Sequence, residues 1–347
     1  MRILNIPNLV SAILLAAVAP LAYAESMDQI IPLHGSPSSG KVLEMTTTEV
    51  KLETRGKVNN FAVNEIRRIH YAEDIPELRR AREDVGSGQF EQALDTLKRI
   101  DAAGLSRELL IADVEYYTAL CHGRIALTGG GDKAAAAATM LEFVKKNPNS
   151  YHFFEAAQLL GDLAMTLENY DNALRYYGAI AKAPWPDYVQ RAALLEAGAL
   201  SAAGKSAEAK ARYESVLTSP LDTPDAIRNK TFATIGLAVC QAEAGAPDQG
   251  IASLNEVIAK NDPQDTELFG TAYNALGRCH LKANRPKEAL LAYLHTDLLF
   301  YAKPDLHAEA LYNLSKLWTT LNKSDRAQNA RNTLVERYAG SVWAKKN

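Results

Sequence analysis

The chain is poor in the residues that build most chemistry. Only three of its 347 residues are cysteine, and Cys121, Cys240 and Cys279 do not cluster. That odd count argues against a disulfide framework. The seven histidines include no HExxH run and no i, i+4 histidine pair beside a carboxylate or thiolate, so no metal site is expected. Cys279 and His280 are neighbours on a helix and point about 100° apart, which prevents easy sharing of a metal. No GxSxG elbow occurs, leaving serine-hydrolase chemistry without support. Gly129-Gly130-Gly131-Asp132-Lys133 lacks the GxxxxGK[ST] spacing of a phosphate loop and reads as an inter-helix turn. The carboxylates are scattered; Glu155 and Asp162 share a helix about two turns apart. No catalytic residue, cofactor or metal is therefore expected, and the chain reads as non-enzymatic. Its net charge of −3 carries no basic surplus that would point to nucleic acid.

Long apolar runs are also scarce. Arg2, the apolar stretch Leu9–Val18, Pro20 and then Ala22-Tyr23-Ala24 make residues 1–24 a cleavable export signal, with an uncleaved anchor as the alternative. No later run approaches the roughly 20 residues of a membrane span. The expected location is periplasmic or secreted. Cys240 and Cys279 occupy matching places in neighbouring helical units. Packed helices sit about 8–10 Å apart and a disulfide needs Cα atoms within about 7 Å. Both cysteines therefore read as small apolar residues, with a Cys240–Cys279 bridge as the alternative.

What is present is periodic. Residues 25–74 form a small β module: Gly40–Met45, Glu49–Thr54, Val58–Val63 and Ile66–Tyr71 are short and β-branched, and Val50, Leu52 and Thr54 alternate with charged residues. Arg55-Gly56 marks a tight turn, and Gly35–Gly40 reads as a loop. An antiparallel sheet or SH3-like barrel of four or five strands is expected. At about 45 residues it is marginal alone and should pack on the first helices; a peptide-binding strand edge is the alternative. From Pro76 the period becomes helical through residues 75–347. A turn, then a small residue, then usually a large apolar or Tyr residue four later, recurs at Ala93, Ala136, Ala173, Ala209, Gly250, Ala289 and Ala327. The interval is about 36 to 43 residues. A unit of this size implies a stacked superhelix without a single closed cleft.

The clearest copy, Tyr273-Asn274-Ala275-Leu276-Gly277 followed by Asn284-Arg285-Pro286, Ala289 and Tyr293, resembles the tetratricopeptide repeat family over residues 76–343. The resemblance implies a mainly α, right-handed superhelical solenoid of about seven antiparallel helix pairs, preceded by the β module. Small residues late in the first helix (Gly161, Ala238, Gly277, Ser315) would admit the second helix. Tyr177, Tyr213, Leu254 and Tyr293 would fill the space between repeats. Asn64–Ile69 with Ile75–Ala81, and the ending Arg337–Lys346, resemble exported bacterial and envelope proteins of this family.

First helices of such an array line its concave face, which reads extended segments by many weak contacts. The family pattern places Gln158 and Asp162, Asn274 and Arg278, and Tyr312 and Lys316 there, a set suited to an acidic segment or a C-terminal carboxylate. Ordinary solvated surface is the plainer reading of each. His280 reads as an interhelical filler, while His152, His295 and His307 read as solvated. Trp185, between two prolines, either folds onto its own helix ends or anchors an interface. The leading expectation is an exported scaffold that binds a protein or peptide, with a cell-envelope component as a candidate partner. A cell-wall or polysaccharide-binding module is the alternative.

Overall fold

The computed structural model describes residues 27–346. The export signal expected at residues 1–24 lies outside them. Five strands come first: β1 Asp28–Pro32, β2 Ser38–Met45, β3 Glu49–Thr54, β4 Lys57–Ala62 and β5 Ile66–His70. All neighbours are antiparallel, in the order β4-β3-β2-β1-β5. The last strand returns to the first after a 3-10 turn at Val63–Glu65, as in an SH3-like meander. Alternation buries Val50 and Leu52 with Ile30, Val42 and Ile69. Arg55 and Gly56, at φ 52° and 78°, make the β3–β4 hairpin turn. The loop expected at Gly35–Gly40 is shorter, because Ser38, Ser39 and Gly40 pair with β1, a strand that composition did not mark.

Seven helix pairs follow: α1 Pro76–Gly86 with α2 Phe90–Leu97, α3 Glu108–Leu127 with α4 Lys133–Lys146, and α5 Phe153–Thr166 with α6 Tyr170–Ile180. Next come α7 Pro186–Ala202 with α8 Ser206–Leu217, α9 Pro224–Glu243 with α10 Pro247–Lys260, α11 Thr266–Lys282 with α12 Pro286–Leu299, and α13 Pro304–Thr320 with α14 Ser324–Tyr338. A short α15, Val342–Lys345, packs on the last pair. Prolines start α1, α7, α9, α10, α12 and α13, where a missing N–H leaves no bond unmade.

The turn inside each pair obeys one rule. A single left-handed residue ends every first helix: Gly88, Gly129, Glu168, Gly204, Gly245, Asn284 and Asn322. The next residue's N–H then reaches back five positions to a helix carbonyl, as from Asn169 to Ala164 and from Arg285 to His280. This C-terminal cap satisfies carbonyls that the helix leaves open and sets each second helix antiparallel to its first.

Buried apolar residues form successive clusters along the stack. The β-module core is continuous with that of α1–α5. Within pairs, a Cβ on Gly161 would sit 2.2 Å from the Tyr177 ring, and one on Gly277 2.6 Å from the Tyr293 ring. These tyrosines therefore cover the first helix of their own pair, and so differ from the expected fillers between repeats. Tyr213 does bridge repeats, lying under Gly236 of α9. All three cysteines are free and buried, and the Cys279 thiol donates to the Ala238 carbonyl at 3.7 Å. The stack curls back on itself, so that Lys133 reaches the Gly340 carbonyl at 3.5 Å and Lys346 reaches Glu168 at 3.6 Å.

Candidate peptide-binding groove

The first helix of each pair turns one stripe of side chains to a common surface. On α3 the stripe is Tyr116, Tyr117, Leu120 and Arg124; on α5 it is Glu155 and Gln158. On α7 it is Arg191, Leu194, Leu195 and Gly198, and on α9 Arg228, Phe232, Ile235 and Val239. The i, i+3/i+4, i+7 spacing is that of one helix face. Two depressions of about 770 and 610 Å³ occupy this surface and share Gln158 and Arg191, so they read as one groove. Arg67 and Arg68 of β5 close its N-terminal end.

Beneath that end lies a polar cluster from four parts of the chain. Arg82 of α1 is buried and donates to Asp74 at 2.5 Å and to Asp113 at 2.6 and 3.1 Å. Asp113 faces His152 Nε2 at 3.4 Å, and His152 Nδ1 lies 3.6 Å from Glu155. His152 is 4% exposed and stacks on Tyr116 with centroids 3.5 Å apart. The Tyr116 hydroxyl donates to Glu155 at 2.7 Å. Burial works against charge on Asp113, but Arg82 and His152 more than offset it and hold its carboxyl below the usual range. The Glu155 side chain is itself 67% exposed at the groove surface; the desolvation from its neighbours is more than offset by His152 and the Tyr116 hydroxyl, which hold its carboxyl low. Apart from Glu155 the cluster is enclosed, and it fixes the groove floor.

The six nominated residues divide. Gln158 and Arg278 line the groove, Arg278 at its far end with Nε 3.3 Å from Glu309. Asp162 lies one turn past Gln158 and accepts from the Tyr177 hydroxyl at 2.9 Å; burial raises its carboxyl. Asn274 does not face the groove. It is 0% exposed and donates to the Leu306 carbonyl at 2.9 Å and to Glu309 at 3.2 Å, clamping α11 to α13. Tyr312 and Lys316 line a separate depression of about 730 Å³ between α13, α14 and Lys346. There the ammonium of Lys316 sits 4.7 Å over the Tyr312 ring, and Trp343 covers that ring at 5.3 Å.

Two histidines are also placed differently from expectation. His152 is enclosed as described, and His307 is buried between Asp297 and the Tyr338 hydroxyl, both at 2.7 Å. His152 caps α5 and His307 sits in the first turn of α13, where sequence suggests solvent, but side chains of the preceding pair cover both, joined at His307 by Tyr338 of α14. His295 is exposed and stacks on Tyr273 at 4.4 Å. Trp185 folds against Phe154 and Tyr188 at 5.8 and 5.0 Å. Arg124 and Arg191 escaped sequence reasoning; their signal was an arginine on the groove stripe of a first helix.

Residues 123–189 and 237–296 match the family pattern described as Tetratricopeptide repeat. Among solved structures, the fold is similar to a tetratricopeptide repeat protein from Parabacteroides merdae ATCC 43184, with TM-score 0.56 and 13% identity over 78% of this chain and 96% of that one. It is also similar to a Rap protein complexed with Competence and Sporulation Factor (TM-score 0.55, 12% identity, 77% of this chain and 76% of the other). NprR in complex with its cognate peptide NprX gives TM-score 0.50 and 14% identity, over 75% and 77% of the two chains. Comparison with curated sequences found no match. These two segments match the tetratricopeptide repeat pattern, and the helix pairs around them stack as a tetratricopeptide-repeat-like array.

Proposed function

We propose that this protein is an exported, non-enzymatic scaffold that holds an extended segment of a protein partner along the first helices α3–α11, in assembling or positioning an envelope or secreted complex. The observation that carries this reading is the continuous groove joined at Gln158 and Arg191. Its length spans several repeats, and its walls mix aromatic, aliphatic and guanidinium groups, as suits many weak contacts on an extended chain. The Rap and NprR structures, similar in fold, hold a factor and a peptide respectively. Export rests on the N-terminal segment alone.

The test is crosslinking and retrieval from envelope extracts with the purified chain, alongside Arg191→Glu and Arg278→Glu variants. A discrete partner lost from both variants is expected. Retention of the same partner by both would move binding off the groove, and co-sedimentation with isolated polysaccharide instead would favour a wall-binding module.

A further inference from the structure

The groove's charge runs against that of the chain. The whole sequence has 38 basic and 41 acidic residues. Yet the charged side chains lining the groove are seven arginines and three glutamates, without a lysine. Three of those arginines are already neutralised: Arg82 by Asp74 and Asp113, Arg228 by Asp265 and Glu267, and Arg278 by Glu309. The other four are different. Among the described residues, Arg67, Arg68, Arg124 and Arg191 have no carboxylate within 4.0 Å. All four line the N-terminal depression. Arg67 donates to the Leu33 carbonyl at 3.2 Å, and Arg68 Nε is buried without a partner. Two of the glutamates are occupied as well, Glu155 by the Tyr116 hydroxyl and Glu267 by Arg228 and Lys303.

Guanidinium groups recognise carboxylates through two parallel hydrogen bonds, which a lysine cannot supply. We infer that the N-terminal half of the groove is a docking site for an acidic, carboxylate-rich extended peptide. Arg124 and Arg191 grip its carboxylates on either side of Gln158, and Arg68 of the β module closes the end. This rests on the groove-binding reading above. Phe90, Phe154 and Tyr188 line the same depression and give intervening apolar side chains a surface. The β module is thereby a wall of the site as well as a cap on the stack.

The test is fluorescence anisotropy on the purified chain with three labelled nonapeptides that alternate Ala with Glu, Gln or Lys. The Glu peptide should bind at least tenfold more tightly than the Gln peptide, weaken as salt rises, and leave the Lys peptide unbound. Arg124→Glu with Arg191→Glu should cost tenfold or more. Arg124→Lys with Arg191→Lys should lose less, because charge remains and only the fork is removed. Lys287→Glu with Lys323→Glu, the same charge change at exposed positions outside the groove, should leave affinity unchanged, and circular dichroism confirms that each variant folds. Equal affinity for the Glu and Gln peptides would overturn the acidic preference while leaving the groove reading intact. Glu-peptide binding indifferent to the Arg124 and Arg191 variants would overturn the site. Silence of all three peptides beside binding of an anionic polysaccharide would overturn both.

Discussion

Arg107 closes both terminal guanidinium nitrogens onto Asp28, at 2.5 and 2.8 Å, across 79 residues of sequence. Asp28 is almost fully buried and also accepts from the Val42 and Ala72 amides at 2.7 and 2.9 Å. One carboxylate thus ties β1, β2, the strand-to-helix link and the stack together. Asp28→Ala leaves a cation and two amides without partners and should destabilise the chain by about 3–5 kcal/mol, read from urea unfolding. Burial raises the Asp28 carboxyl, but Arg107 and the two amides lower it more, so its folded value lies below the usual one. Its contribution is therefore present above about pH 3.9 and lost as pH falls through the folded value. Asp28→Asn should flatten that acid limb.

Two helical glycines should respond oppositely to alanine. At Gly161 the new methyl meets the Tyr177 ring at 2.2 Å, and that ring is tethered by its hydroxyl to Asp162. Gly161→Ala should cost about 1–3 kcal/mol by overpacking. At Gly198, on α7, nothing lies within 4 Å. Gly198→Ala should stabilise by up to about 1 kcal/mol through helix propensity. Thermal melts of both variants decide whether close packing or backbone freedom governs each site.

The contrast shows what sequence carries here. Periodicity set the helical units, because a 3.6-residue stripe with small residues at crossings survives translation into packing without knowledge of neighbours. Gly161 and Gly277 were legible as close-approach positions for that reason. What stayed hidden depends on which side of a helix meets the next pair. Asn274 and Arg278 sit one turn apart on α11, yet one is enclosed by α13 and the other opens to the groove. The Arg82–Asp113–His152 cluster was equally invisible, since its members come from α1, α3 and the link before α5.

His152 gives the groove floor a pH dependence. Burial alone pushes its imidazole down, but Asp113 and Glu155 more than offset this and hold it above its ordinary value. Arg82 stands behind Asp113, and Tyr116, Tyr117 and Tyr151 are the rings that face the imidazole. Since the folded value is raised, the stabilising charge is complete below about pH 6.5 and fades as pH climbs through the folded value. Urea midpoints between about pH 5.5 and 8.5 should fall for the native chain and stay level for His152→Gln. Parallel slopes in both would place the titrating group elsewhere.

Asn274 provides the sharpest separation of structure from binding. Its amide holds the Leu306 carbonyl and Glu309, while Arg278 reaches the other oxygen of that carboxylate. Asn274→Ala leaves a buried carbonyl and part of a buried carboxylate unsatisfied, at a cost of about 1–3 kcal/mol. The loss falls at the α11–α13 junction, so amide exchange should rise in α13 and α14 before it rises in α3 or α5. Affinity for an acidic peptide at the N-terminal end of the groove should be unaffected at temperatures where the variant is folded. A variant with an unchanged melting temperature and abolished peptide binding would instead put Asn274 in contact with the ligand, which its enclosure between α11 and α13 forbids.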